Sequence, residues 1–110
     1  MRIHLLKEKT IRNYVIGNRN SQVFFEEWLS LIKKSDWEKV SDIVGTFNSS
    51  DILGGGTNRV VFNIGGNNYR VICQYSFGST SVHLFVCWIG THAEYTKLCK
   101  LNKQYSINVY

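Results

Sequence analysis

Arg59-Val60-Val61-Phe62-Asn63-Ile64-Gly65-Gly66-Asn67-Asn68-Tyr69-Arg70-Val71-Ile72-Cys73 reads as two extended runs joined by a tight turn. β-Branched and aromatic residues fill both runs, and Gly and Asn supply the positive φ that a hairpin turn needs. A two-residue turn at Gly66-Asn67 puts Asn63 across from Arg70 and Arg59 across from Gln74. Gly78-Ser79-Thr80-Ser81 makes a second turn, so three antiparallel strands are predicted over 59–64, 69–77 and 82–89.

Period-2 alternation then assigns faces. Val60, Phe62 and Ile64, with Tyr69, Val71, Cys73, Tyr75 and Phe77, and with Val82, Leu84, Val86 and Trp88, form the predicted core face. Arg59, Asn63, Arg70, His83, Cys87 and Ile89 lie on the other. Pairing Phe77 with Val82 places Arg70 beside Ile89. The chain leaves the third strand as Gly90-Thr91-His92, at the end of the sheet that holds Asn63 and Arg70. Asn63, Arg70 and His92 are therefore expected to converge, with Tyr95 and Lys97 in the next turn or helix.

Outward from this meander, the first half is helical. Ile3 to Leu6 is read as a short first strand and 8–16 as a helix with Ile11, Tyr14 and Val15 on one side. Phe24, Trp28, Leu31 and Ile32 recur at helical spacing in a second helix. Ser35-Asp36-Trp37-Glu38 fits a Ser-x-x-Glu capping box opening a short helix with Trp37, Val40, Val44 and Phe47 inward. Residues 48–58 are turn-like around Gly54-Gly55-Gly56, which is no phosphate loop because no Gly-Lys-Ser/Thr follows. The predicted architecture is α+β: N-terminal helices on one face of a small antiparallel sheet.

Composition bounds the function. At 110 residues and 44% hydrophobic content, the chain is expected to be one domain, 1–110, with 99–110 as a possible extended tail. Fifteen aromatic residues (Trp 3, Tyr 6, Phe 6) suffice for a compact core. No apolar run approaches the roughly 20 residues that span a bilayer, and the N-terminus lacks a secretory h-region and cleavage site. Cys73, Cys87 and Cys99 are odd in number and widely spaced, which suits neither a disulfide framework nor a zinc ribbon. A cytoplasmic protein is expected, with no membrane association, metal or cofactor.

The net charge of +5 is uneven. Residues 1–51 hold eight Lys/Arg against seven acids, whereas 52–110 hold five against Glu94 alone. The second half is thus the candidate polyanion-facing half, although a solvated basic surface explains the same excess.

An arginine on an open sheet face beside an imidazole, with Lys97 near, suits phosphodiester chemistry. Arg holds phosphate through two hydrogen bonds and stays charged, and His transfers protons near neutrality. RNA carries its own nucleophile, the 2′-hydroxyl, and so needs a base, an acid and positive charge on the phosphorane. Plainer readings exist: His92 as a helix cap, Tyr95 as packing, Arg70 as a structural strand residue. No carboxylate pair, Ser/His/Asp set or His/Cys metal spacing competes.

Arg59-Val60-Val61-Phe62-Asn63-Ile64, Gly66-Asn67-Asn68-Tyr69-Arg70 and Gly90-Thr91-His92-Ala93-Glu94-Tyr95, with Trp28 and Trp37 upstream, resemble the HigB branch of the RelE-like toxins of toxin–antitoxin pairs. The resemblance runs from the N-terminus to about Lys97. It implies an endoribonuclease that cleaves mRNA, usually on the translating ribosome, and a HigA-like helix-turn-helix antitoxin as partner. By position it implies Arg59, Arg70, His92 and Tyr95 as catalytic residues, with Asn63 and Lys97 binding substrate. The Gly-rich segment at 54–56 and the tail after Leu98 depart from the family pattern. The rival is a non-catalytic basic module, an inactive relic that binds RNA or a partner and cuts nothing.

Overall fold

A computed structural model describes all residues, Met1–Tyr110. Five strands form one sheet in the order β1-β5-β4-β3-β2: β1 Arg2–Leu6, β2 Asp51–Leu53, β3 Arg59–Ile64, β4 Tyr69–Phe77 and β5 Ser81–Thr91. Four α-helices accompany it: α1 Glu8–Gly17, α2 Gln22–Lys34, α3 Val40–Thr46 and α4 His92–Lys100. The fold is α+β, as expected, but the sheet is mixed, because β1 runs parallel to β5. The connection from β1 to β5 passes through α1 to α3 and three further strands, which frees β1 from hairpin geometry.

The β3–β4 hairpin has the expected register, Asn63 opposite Arg70 and Arg59 opposite Gln74. Gly65 and Gly66 turn it at φ +64° and +66°, and at Gly65 a Cβ would also stand 2.9 Å from the Phe24 ring. The β4–β5 pairing begins as expected at Phe77–Val82 but slips at a bulge between Ile72 and Cys73. Cys73 pairs with Val86 and Ile72 with Trp88, leaving Cys87 as the extra residue. Two corrections follow. Arg70 lies opposite Gly90 instead of Ile89, and the last two apolar residues exchange faces. Ile89 enters the main core, and Trp88 packs with the smaller cluster on the opposite side.

Segment 48–58 is not wholly a turn, since Asp51–Leu53 pairs with Arg59–Val61 as β2. The capping box also moves. Ser35 ends α2, its Oγ donating to the Leu31 carbonyl at 2.6 Å, and the Asp42 carboxylate accepts from the Glu38 and Lys39 amides before α3. Those two amide bonds hold the Asp42 carboxyl below the usual carboxylate range. On α2 the buried stripe is Phe25, Trp28, Leu29 and Ile32, with Phe24 and Leu31 exposed. On α3 it is Ile43, and Val44 is exposed. Both stripes of α2 satisfy a 3.6-residue period. The sheet selects the one that sets Phe25 against Tyr14 and Tyr69.

Helices α1 to α3 cover one face, where sixteen buried residues form the main core. The other face is covered too, contrary to a one-sided arrangement. There α4 and the tail close over Leu53, Val61, Ile72 and Cys87, with Leu98, Tyr95 and Ile107 packed against them. No helix is long and apolar enough to cross a membrane.

Candidate active site

Strand β4 delivers Arg70 and the start of α4 delivers His92, and both join the β3–β4 turn. Thr91 caps α4: its hydroxyl accepts from the Glu94 amide at 3.2 Å, and the Glu94 carboxylate accepts from the Thr91 amide at 2.8 Å. The His92 amide donates to the Asn68 carbonyl at 2.9 Å, fastening the helix to the hairpin. His92 therefore is the first residue of α4 and not a cap. Its side chain is exposed and turned to Arg70.

Arg70 is only 6% exposed, yet no carboxylate pairs with its guanidinium. Its Nη1 donates to the Tyr69 carbonyl at 3.0 Å. Its Nη2 donates to Asn67 Oδ1 at 2.5 Å and meets His92 Nδ1 at 3.0 Å. A guanidinium cannot act as acceptor, so His92 Nδ1 accepts and the ring carries its proton on Nε2. Its Cζ lies 5.9 Å from the centre of the Tyr95 ring, within cation–π range. A cation shielded from water and held only by neutral groups is poised for an anion.

Tyr95 lines this site from α4, its ring 6.1 Å from that of Trp88. Burial, and next its hydrogen bond to Cys99, push its phenol above the ordinary tyrosine range. The hydroxyl stays protonated at neutral pH. Gly90 makes room for this packing, because a Cβ there would stand 2.4 Å from Trp88 Cη2. Asn63 is half-buried beside Arg70 in the strand register. Lys97 is exposed on α4 and Lys100 follows in its last turn.

Arg59 is not brought to this cluster. Also 6% exposed, it donates from Nη1 to the carbonyls of Ile107 at 2.7 Å and Gln104 at 3.2 Å. It pins the tail, which the Val109 amide anchors further on the Cys87 carbonyl at 3.0 Å. The tail thus packs on the sheet through a 3-10 turn at Lys103–Tyr105 and does not add a strand. Arg59→Ala would leave buried carbonyls without donors, at about 1–3 kcal/mol for each group. Urea denaturation is expected to show a loss of that order, with the C-terminal amides losing hydrogen-exchange protection first.

Asn67 was not among the residues singled out by sequence. Its only signal is its place in the turn three residues before Arg70, and its role comes from a side-chain oxygen aimed at the guanidinium.

Residues 21–98 match the family model of the HigB toxins, described as the RelE-like toxic component of a toxin–antitoxin system. The matched segment contains every residue of the Arg70–His92 cluster and excludes β1, all of α1 and the tail. No curated protein matches the chain significantly. With the match covering most of its length, the chain belongs to the HigB family of RelE-like toxins and is the toxic component of a toxin–antitoxin pair.

Proposed function

We propose that this toxin is an endoribonuclease that cleaves mRNA on the translating ribosome, with Arg70 and His92 as its reacting pair. The observation that carries the reading is the 3.0 Å contact between Arg70 Nη2 and His92 Nδ1 on a guanidinium that has no acidic partner. A scissile phosphate competes for that guanidinium with two charge-assisted bonds, stronger than the neutral ones it replaces. As Nη2 turns to phosphate, Nδ1 is released beside the reacting atoms as a base.

The 2′-oxygen then attacks phosphorus while His92 Nδ1 takes the 2′-hydroxyl proton. The bond from phosphorus to the 5′-oxygen breaks, and that oxygen takes a proton from water. The products are a 2′,3′-cyclic phosphate and a 5′-hydroxyl. Arg70 stabilises the charge that develops on the phosphorane oxygens. Tyr95 offers a π face beside Arg70 on which a base can stack. Lys97 and Lys100 add positive charge along α4 for the polyanion. Family membership supports the ribosome as the setting, and supports a HigA-like helix-turn-helix antitoxin in the cytoplasm as the neutralising partner.

The Tyr95 hydroxyl is turned to Cys99 and remains neutral, so its contribution is the ring. Tyr95→Phe is expected to keep cleavage within about threefold of the unaltered toxin, whereas Tyr95→Ala should lose about tenfold or more, as stacking is worth ~1–3 kcal/mol. Single-turnover rates on ribosome-bound mRNA separate the two; a Phe variant as weak as the Ala variant would assign chemistry to the hydroxyl. The reading as a whole is tested by induction without antitoxin. Growth and translation should stop with mRNA cut, and arrest with intact mRNA would sink it in favour of a binding module.

A further inference from the structure

A groove of about 290 Å³ opens between α2 and the outer edge of β3 and reaches the β3–β4 turn at Gly65 and Gly66. Its walls are Phe24, Trp28, Leu31 and Phe47, with Asn63 at its sheet edge and Glu27 as the charged residue in its lining. Two of these apolar side chains are left to solvent, Phe24 at 38% and Leu31 at 41% exposure. The floor is rigid, because Phe62 meets the Trp28 and Phe47 rings edge-on at 5.3 and 5.1 Å.

Two hydrogen-bonding features single this groove out. The Trp28 indole is 3% exposed and its Nε1–H has no partner, whereas the Trp37 Nε1–H donates to Thr46 Oγ1 at 2.9 Å. A buried donor without an acceptor is rare in a finished structure. The second feature is a strand edge. Strand β2 stops opposite Val61, so β3 continues through Asn63 and Ile64 with no strand beyond it. Tyr75 donates its amide to the Asn58 carbonyl, and alternation from there turns the Asn63 N–H and C=O away from β4 toward that open edge. The groove thus offers an apolar slot and an unpaired stretch of strand, with the unpartnered Trp28 indole buried in its wall.

Charge selects the occupant. The chain carries +5 overall, and its excess lies in the half that holds Arg70, Lys97 and Lys100. A groove with a carboxylate in its lining and no lysine or arginine repels RNA and suits a peptide with a basic residue.

We infer that this groove is a docking site for the antitoxin, which lays a short extended segment along the β3 edge. The segment puts one apolar side chain between Phe24 and Leu31, backbone hydrogen bonds on the free edge at Asn63 and a Lys or Arg beside Glu27. The inference rests on the family's antitoxin partner and not on the cleavage chemistry.

Calorimetric titration of the full chain with the antitoxin encoded beside it tests this. Leu31→Glu and Glu27→Arg are each expected to weaken binding by about tenfold or more, and both positions are exposed enough to leave the melting temperature unchanged. The Trp28 Nε1–H resonance should shift in the complex, since the ring lines the groove, while the Trp88 signal stays. Affinities within about twofold of the unaltered chain, or an unmoved Trp28 resonance, would overturn the docking site. So would absence of any binding to the unaltered chain, or weakened binding of ribosomal RNA in place of antitoxin by the same variants. Cleavage by the free toxin is measured in parallel. Its loss in the unaltered chain would count against the Arg70–His92 mechanism alone.

Discussion

His92→Ala is expected to slow mRNA cleavage by about 10²–10⁴-fold, the usual contribution of a positioned proton-transfer group. The ring is exposed and contributes nothing to either apolar cluster, so the melting temperature should stay put. The backbone amide that fastens α4 to the Asn68 carbonyl survives the substitution, and Thr91 with Glu94 still caps the helix. Loss of rate therefore reports on the imidazole. His92→Gln sharpens the result, because its amide can accept from Arg70 but cannot take a proton near neutrality. If glutamine restored the rate, the residue would only orient Arg70, and the base would lie elsewhere.

Arg70→Met should remove a comparable share of the rate, about 10²–10³-fold by analogy with the loss of one donor to a developing oxyanion. Its effect on stability is expected to have the opposite sign. The guanidinium is nearly buried, has no carboxylate partner and loses hydration that neutral acceptors only partly replace. Methionine fills much of the same volume without that charge, and Asn67, which is exposed, can turn to water. The melting temperature of Arg70→Met is thus expected to equal or exceed that of the unaltered toxin. A site kept at a cost to stability is one held for function. A marked drop in melting temperature would instead make Arg70 a structural strand residue.

The sequence made the hairpin legible because its signals are local. Gly65-Gly66-Asn67-Asn68 marks the turn, and alternation on both sides leaves one register that aligns the apolar faces, so Asn63 falls opposite Arg70. The β4–β5 bulge left no such mark. Nothing in Val86-Cys87-Trp88-Ile89 distinguishes an extra residue from a regular strand, and only closing α4 over the second face makes Trp88 the better residue there. His92 still reaches Arg70 because a one-residue slip just past the site shifts the strand without carrying α4 away from the turn.

The stripe on α2 was ambiguous for a different reason. Apolar residues at 24, 25, 28, 29, 31 and 32 satisfy helical period on two overlapping faces, and the choice is made by Tyr14 and Tyr69 across the layer. Arg59 was misleading in kind: its partners are backbone carbonyls forty-five and forty-eight residues away, which no side-chain pattern announces. Read from sequence, it is one more arginine on the basic sheet face. In the structure it is the bolt that fixes the tail and, through it, the packing under α4.

End-mapping of mRNA cut by the purified toxin on reconstituted translating ribosomes tests the central claim most directly. The unaltered chain is expected to leave 2′,3′-cyclic phosphate and 5′-hydroxyl ends, and His92→Ala and Arg70→Met, folded and ribosome-bound, to leave the message whole. Cleavage at the unaltered rate by either variant, or ends that carry a 5′-phosphate, would contradict the account.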